Sequence, residues 1–144
     1  MKVRLAVRTT GVGVATAAWE IRTGATPGRW RLIELKIFLA AATASVYGLG
    51  QPGAIGVTPT TPVDFLNDDP NDVLASGVVQ SALAWGTGPT VPANFDERVS
   101  IGGVIGNGAI FTFPQGLVIP VSNSLVLWNI TANGIADAQA VLEL

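Results

Sequence analysis

The chain contains no cysteine and no histidine. Without cysteine it can form no disulfide and no thiolate nucleophile, and its redox compartment is left open. The commonest protein ligands of zinc and other transition metals are missing as well. Because the usual pairs of nucleophile and general base depend on histidine or cysteine, most hydrolase mechanisms are excluded by composition. We therefore predict a non-enzymatic protein with no catalytic residues, no cofactor and no metal site.

Charged residues are scarce too. They make up 12% of the 144 residues, against 49% hydrophobic residues, and the mean hydropathy is +0.47. This composition argues against disorder and predicts a single domain, residues 1–144, with some apolar surface left for a partner. The net charge of −2 favours neither nucleic acid nor an anionic membrane as that partner.

Long apolar runs are also absent. The longest uncharged stretch early in the chain, residues 37–50, is too short to cross a bilayer. Arg4 and Arg8 interrupt the N-terminal segment, which therefore does not resemble a signal peptide. These features predict a protein that is made in the cytoplasm and has no contact with a membrane.

The few charges lie unevenly along the chain. Residues 1–36 hold seven bases and two acids, a net charge of +5, whereas residues 37–144 hold one base and eight acids, a net charge of −7. Placed on different faces, the two regions would orient the protein on a charged partner. Interleaved strands would instead mix the charges over the surface, and the sequence leaves both arrangements open.

Alternation of apolar and polar residues is the dominant positive signal. In residues 33–39 every second residue is aliphatic, and Glu34 and Lys36 lie between them. Alternation with a period of two is typical of a half-buried strand. Residues 125–130 are apolar on both faces instead, which predicts a central strand or one covered by a neighbouring subunit.

Glycine and proline interrupt these runs at turn positions, such as Gln51-Pro52-Gly53 and Gly106-Asn107-Gly108. We predict about eight strands with a ninth at the end of the chain: 1–9, 14–23, 29–41, 44–49, 78–87, 97–105, 108–113 with 116–121, 124–131 and 136–144. This count predicts an all-β fold, an antiparallel two-sheet sandwich of jelly-roll type. Residues 58–77 are predicted to form a long irregular surface loop or an arm.

Carboxylates are the only groups left that could carry catalysis or bind a cation. Asp96 and Glu97 are adjacent, so on a strand they point to opposite faces and are poorly placed to flank one bond. A second set of acids lies in the long loop at Asp64, Asp68, Asp69 and Asp72. It offers oxygen ligands of the kind that calcium prefers, but it lacks the spacing of an EF-hand. We interpret it as a solvated acidic loop, with a cation site as the alternative.

The tryptophans are candidates for packing or for binding. Trp19 and Trp85 share strand faces with aliphatic residues, which predicts that they pack in the core. Trp30 shares a face with Glu34 and Lys36, and we predict that it is an exposed interface aromatic, since tryptophan and arginine are favoured at binding hot spots. The residues predicted to form an interface are Arg29, Trp30, Arg31 and Trp128.

Several segments carry a resemblance: residues 17–27 (AAWEIRTGATP), 32–35 (LIEL), 40–45 (AAATAS), 48–52 (GLGQP), 85–92 (WGTGPTVP), 113–120 (FPQGLVIP) and 124–129 (SLVLWN). In these segments the chain resembles small proteins encoded in phage and prophage structural gene clusters. The likeness spans most of the chain and includes no active-site motif, so it carries over no functional residue.

The resemblance implies a jelly-roll component of the virion, a decoration or cement protein on the capsid exterior. Its partners would be the major capsid protein and further copies of itself, arranged as a homotrimer. One alternative is a head fibre, tail or receptor-binding module that recognises a glycan, with Trp30 or Tyr47 stacking on the sugar. Another is an enzyme that acts through aspartate or glutamate.

Overall fold

Thirteen β-strands and no helix make up the part of the chain that the computed structural model describes, residues 1–11, 13–25, 28–131 and 134–144. The first four are β1 (Lys2–Arg8), β2 (Thr16–Thr23), β3 (Trp30–Leu39) and β4 (Ser45–Gly50). Five short strands follow: β5 (Val57–Pro59), β6 (Val63–Asp64), β7 (Leu66–Asn67), β8 (Val79–Ala82) and β9 (Trp85–Thr87). The last four are β10 (Glu97–Ile101), β11 (Gly108–Ile119), β12 (Ser124–Thr131) and β13 (Ala136–Glu143).

The strands form two large antiparallel sheets packed as a sandwich. One sheet has five strands in the order β11-β3-β13-β1-β7, and the other has six in the order β10-β4-β12-β2-β8-β6. Four nested pairs, β1 with β13, β2 with β12, β3 with β11 and β4 with β10, join strands from the two ends of the chain. Nesting of this kind rolls the chain into a jelly roll. The predicted all-β sandwich is confirmed. The short strands β5, β6 and β7 are additional, and the predicted strand 78–87 is divided into β8 and β9.

The core lies between the two sheets. On β13 the residues from Ala136 to Leu142 alternate, with every second side chain buried, as a strand with one solvated face requires. Large side chains from both sheets fill the interior. The largest fully buried ones are Trp19, Trp30, Tyr47, Ile21, Leu32, Leu35, Ile37, Leu49, Ile119, Leu125, Leu127 and Leu142.

The six-stranded sheet is also covered on its outer face. A second, smaller cluster there contains Ala17, Val126 and Trp128, with Trp85 and Phe95 packed against it. Because β12 is a central strand between β4 and β2, its two faces are both buried. The prediction for residues 125–130 as a central strand is confirmed.

The small sheet of β5 and β9 forms part of this cover. The segment that leads to β5 packs closely, since a Cβ added to Gly56 would lie 2.4 Å from Trp85 Cδ1. Phe95 packs just as closely on the six-stranded sheet, because a Cβ added to Gly48 would lie 2.5 Å from its ring. Glycine at both positions is therefore a packing requirement.

Residues 58–77 do not form an arm. Strand β6 pairs with β8 in one sheet and β7 pairs with β1 in the other, so the segment crosses between the sheets. At the crossing Phe65 is 2% exposed and stacks on Trp19, with ring centroids 6.3 Å apart and ring planes 3° from parallel. Phe65 therefore contributes to the core of the domain, whereas most of residues 58–77 is exposed, as predicted for a surface loop.

The charged regions are interleaved. Strand β1, from the basic residues 1–36, lies between β13 and β7 from the acidic part. Arg8 makes two hydrogen bonds to Asp137, of 2.8 and 3.0 Å, and Arg4 pairs with Asp68. Of the two arrangements that the sequence left open, the structure shows mixed charges on one face.

Candidate functional site

The acids of residues 64–72 do not converge on a common point. Asp68 pairs with Arg4, and the Asp69 carboxylate accepts a hydrogen bond of 2.9 Å from the amide of Asn71. Asp64 accepts hydrogen bonds from Ser76 Oγ, the Gly77 amide and Gln80 Nε2, at 2.9, 3.0 and 2.9 Å. Among the described residues no three carboxylates group closely enough to hold a metal ion. Asp64, Asp68 and Asp69 instead stabilise the loop through hydrogen bonds and an ion pair.

Asp64→Asn should destabilise the protein most at neutral pH. The hydrogen bond from the Gly77 amide, followed by that from Gln80, holds the pKa of the Asp64 carboxyl below its ordinary value. A carboxyl with such a pKa adds stability above its unfolded pKa of about 3.9, and that stability is lost as the pH falls further. Urea titrations at about pH 7 and about pH 3 measure the free energy of unfolding of both proteins. The difference between the two should be smaller at the lower pH.

The control for this prediction is Asp72→Asn. The Asp72 carboxylate has no hydrogen bond to any residue within the described ranges, so this variant should be as stable as the wild type at neutral pH. If the difference in stability between Asp64→Asn and the wild type is the same at neutral and acidic pH, the role given to the carboxylate is wrong.

The two aromatic residues predicted to be exposed are buried. Trp30 is 0% exposed and Tyr47 is 1% exposed, and burial raises the pKa of the Tyr47 hydroxyl. The prediction of an exposed Trp30 is therefore wrong, and neither ring can stack on a sugar. The cause is a β-bulge at Ile33, since Glu34 pairs with Val141 whereas Leu32 pairs with Leu142. The extra residue reverses the phase of the strand and turns Trp30 inward.

The other predicted interface residues lie on opposite faces of the sandwich. Arg29 and Arg31 are exposed, and Arg31 donates a hydrogen bond of 3.2 Å to the carbonyl of Gln115 on the five-stranded sheet. Trp128 is 7% exposed and lies on the outer face of the six-stranded sheet. These residues do not form one surface.

A buried carboxylate on the outer face of the six-stranded sheet was not predicted. Glu20 is 0% exposed and accepts four hydrogen bonds. Its Oε1 is 2.5 Å from Arg22 Nη1 and 3.0 Å from Trp85 Nε1. Its Oε2 is 2.7 Å from Ser124 Oγ and 3.0 Å from the Gly56 amide. Arg22 also donates to the Gly56 carbonyl at 2.7 Å, so this network fastens the covering segment to the sheet.

Beside this network lies a cleft of about 430 Å³, which we call the Trp85 cleft. Trp85 and Trp128 form its aromatic walls, and small residues form much of the rest. Trp19 is fully buried in the main core, as predicted. Trp85, for which the same prediction was made, is half-buried and packs against the smaller cluster on the outer face of the six-stranded sheet. Thr10 and Thr16 supply the polar side chains of the lining.

A second surface feature is an apolar edge of the five-stranded sheet. Strand β11 is at that edge, and its twelve residues include no charge. Val104 and Ile105, in the connection that leads into β11, are 62% and 65% exposed, and Ile110 on the strand is 56% exposed. We call β11 with these three residues the β11 edge.

Comparisons with known proteins give no relative. No family model matches the chain, and neither a curated protein nor a solved structure matches it. Within the described ranges there is also no helix that could span a membrane.

Proposed function

We propose that this protein is a structural component of a phage particle that decorates and stabilises the capsid through protein–protein contacts. The observation that carries the proposal is the β11 edge. It is long, uncharged and flanked by exposed aliphatic residues, and such surfaces in soluble proteins are docking sites. The jelly roll supports the proposal by analogy, because many viral capsid domains have this fold.

The β11 edge is protected over only part of its length. In natural proteins, charges, prolines or bulges protect edge strands from pairing with another chain. Pro114 and the shift in register between Thr112 and Leu117 protect the second half of β11. The first half, which pairs regularly with β3 from Gly108 to Thr112, carries neither protection. It is therefore free to meet another protein.

The carboxylates support a role in binding rather than in catalysis. Glu20 is enclosed, and its two oxygens already accept four hydrogen bonds, so no lone pair is left for a substrate. Of the loop acids, Asp64 and Asp69 accept hydrogen bonds within the loop, and Asp68 forms an ion pair. A cement protein needs stable sheets and apolar surface, and it gains affinity from many symmetric copies.

The proposal predicts a homotrimer that binds saturably to assembled shells of its own phage but not to unassembled capsid protein. Sedimentation velocity measures the mass of the oligomer, and cosedimentation with shells measures binding. Ile105→Lys combined with Ile110→Lys should weaken shell binding at least about tenfold, because burying an unpaired charge in an interface is costly. The fold should survive, since both side chains are more than half exposed.

Val73→Lys is the matched control for this test. Val73 is 91% exposed and lies in the connection between β7 and β8, away from the β11 edge in the topology. This variant should bind shells like the wild type. A wild-type protein that is monomeric and ignores assembled shells would overturn the proposed function.

A further inference from the structure

The Trp85 cleft has the dimensions and composition of a ligand site. Its volume of about 430 Å³ falls in the range of small-molecule pockets, which are lined mostly by apolar and aromatic groups with a few polar ones. Ala15, Ala17 and Ala84 also line the cleft, and their side chains are too small to fill it. The cleft lies on the six-stranded sheet and is distinct from the β11 edge on the other sheet.

Trp85 is held in position before any ligand arrives. Its Nε1 donates to Glu20 Oε1 at 3.0 Å, and Glu20 is itself fixed by Arg22 and Ser124. The backbone at Gly56 packs so closely against the indole that no Cβ would fit. A ring fixed in this way loses little conformational entropy on binding, which is the advantage of a preorganised site.

Two further features belong to the lining. Ala15 has a φ of +53°, a left-handed conformation that costs about 1 kcal/mol or more for a residue other than glycine. Strain of this kind is concentrated at functional sites. Thr10 and Thr16 place hydroxyl groups in the cleft, and Thr16 Oγ1 donates to the Gly13 carbonyl at 2.8 Å, which orients its lone pairs.

The charge of the lining selects the class of ligand. None of the described side chains that line the cleft is charged, so a carboxylated or phosphorylated ligand would lose its hydration without gaining a partner. A neutral pyranose has apolar faces of C–H groups and a rim of hydroxyls. It therefore matches an indole face bordered by threonine hydroxyls. A purely apolar peptide segment would offer no donor to the lone pairs of Thr16 Oγ1 and no partner to the Thr10 hydroxyl.

We propose that the Trp85 cleft binds a neutral pyranose unit of a glycan, which stacks on Trp85 and exchanges hydrogen bonds with Thr10 and Thr16. This is a second binding activity beside the proposed contact with the capsid, and it does not depend on it. Jelly rolls also serve as lectins, which agrees with the assignment by analogy.

Tryptophan emission provides the assay. Trp19 and Trp30 are both 0% exposed, so a change caused by a ligand reports on Trp85 and Trp128. The full-length protein is titrated with the methyl glycosides of glucose, galactose, mannose and N-acetylglucosamine, and with maltotriose and chitotriose. At least one of these neutral probes should give a saturable change, with a Kd on the order of 1 mM or below. N-acetylneuraminic acid, which is anionic, should give none.

Ala84→Gln tests the location of the site, because the larger side chain fills the cleft and the exposed position tolerates it. It should weaken binding at least about tenfold. Ala75→Gln makes the same exchange at an exposed position outside the cleft and should have no effect. The proposal is overturned if no neutral probe binds, if Ala84→Gln binds like the wild type, or if N-acetylneuraminic acid or hexaproline binds more tightly than every neutral probe.

Discussion

Glu20→Ala should lower the free energy of unfolding by about 3–5 kcal/mol, the cost of removing one partner of a buried ion pair. The carboxylate is fully enclosed, and its loss leaves four donors without their acceptor. Two of those donors, the Gly56 amide and Trp85 Nε1, belong to segments that cover the sheet. Denaturant unfolding of the two proteins at neutral pH measures the difference.

Glu34→Ala is the matched control for this prediction. Glu34 also belongs to an ion pair, 3.3 Å from Lys36, but its side chain is 33% exposed. Exposed pairs of this kind contribute about 0–1 kcal/mol, so this variant should unfold almost like the wild type. If Glu20→Ala loses no more stability than Glu34→Ala, then the buried network does not hold the cover on the sheet.

Trp30→Ala should lower the free energy of unfolding by about 3–5 kcal/mol, whereas Trp30→Phe should lower it by much less. The indole is 0% exposed and belongs to the main core cluster, so truncation to alanine leaves a cavity. Its Nε1, however, is buried and has no hydrogen-bond partner among the residues that the structure describes. Phenylalanine therefore removes an unsatisfied donor along with part of the ring, and the two effects partly offset each other. Denaturant unfolding of both variants tests the difference.

Trp19→Phe provides the comparison for Trp30→Phe. Trp19 Nε1 donates to Ser81 Oγ at 2.7 Å, so phenylalanine at this position breaks a buried hydrogen bond as well as removing part of the ring. Trp19→Phe should therefore be the more destabilising of the two conservative variants. Equal losses for the two would show that the unpartnered Nε1 of Trp30 has no energetic consequence.

The Trp30 variants also test whether Trp30 belongs to the surface that would bind the shell. A residue buried in the core affects shell binding only through folding, so folded Trp30→Phe should bind shells like the wild type. If Trp30 were instead an exposed residue of the binding surface, Trp30→Phe would lower the affinity for shells directly. The exposed arginines beside it, Arg29 and Arg31, remain available to a partner.

Much of the fold could be predicted from local patterns. Local patterns predicted the eight longest strands. Apolar residues on both faces predicted that residues 125–130 form a central strand or one covered by a neighbouring subunit, and the structure shows that β12 is central. Strands β5, β6 and β7 could not be predicted, because two or three residues carry no period. The predicted strand 78–87 is divided into β8 and β9. Phe65 shows why this matters: its burial depends on stacking with Trp19, which the local sequence of the loop does not indicate.

The sequence by itself determined that this is an all-β chain without histidine or cysteine chemistry. Only the tertiary structure decided which way its side chains face. A strand alternates with a period of two only until a bulge reverses its phase, as at Ile33 in β3 and at Ala18 in β2. The place of a bulge depends on the partner strand.

The Glu20 network and the Trp85 cleft could not be predicted from the sequence either, because they too depend on the tertiary structure. Glu20 and Ser124 are 104 positions apart in the sequence, and Glu20 and Trp85 are 65 apart. In a nested jelly roll, strands from the two ends of the chain meet, so the environment of a side chain is set by residues far from it in the sequence. Local patterns report on neighbours two positions away, and these sites are built from distant ones.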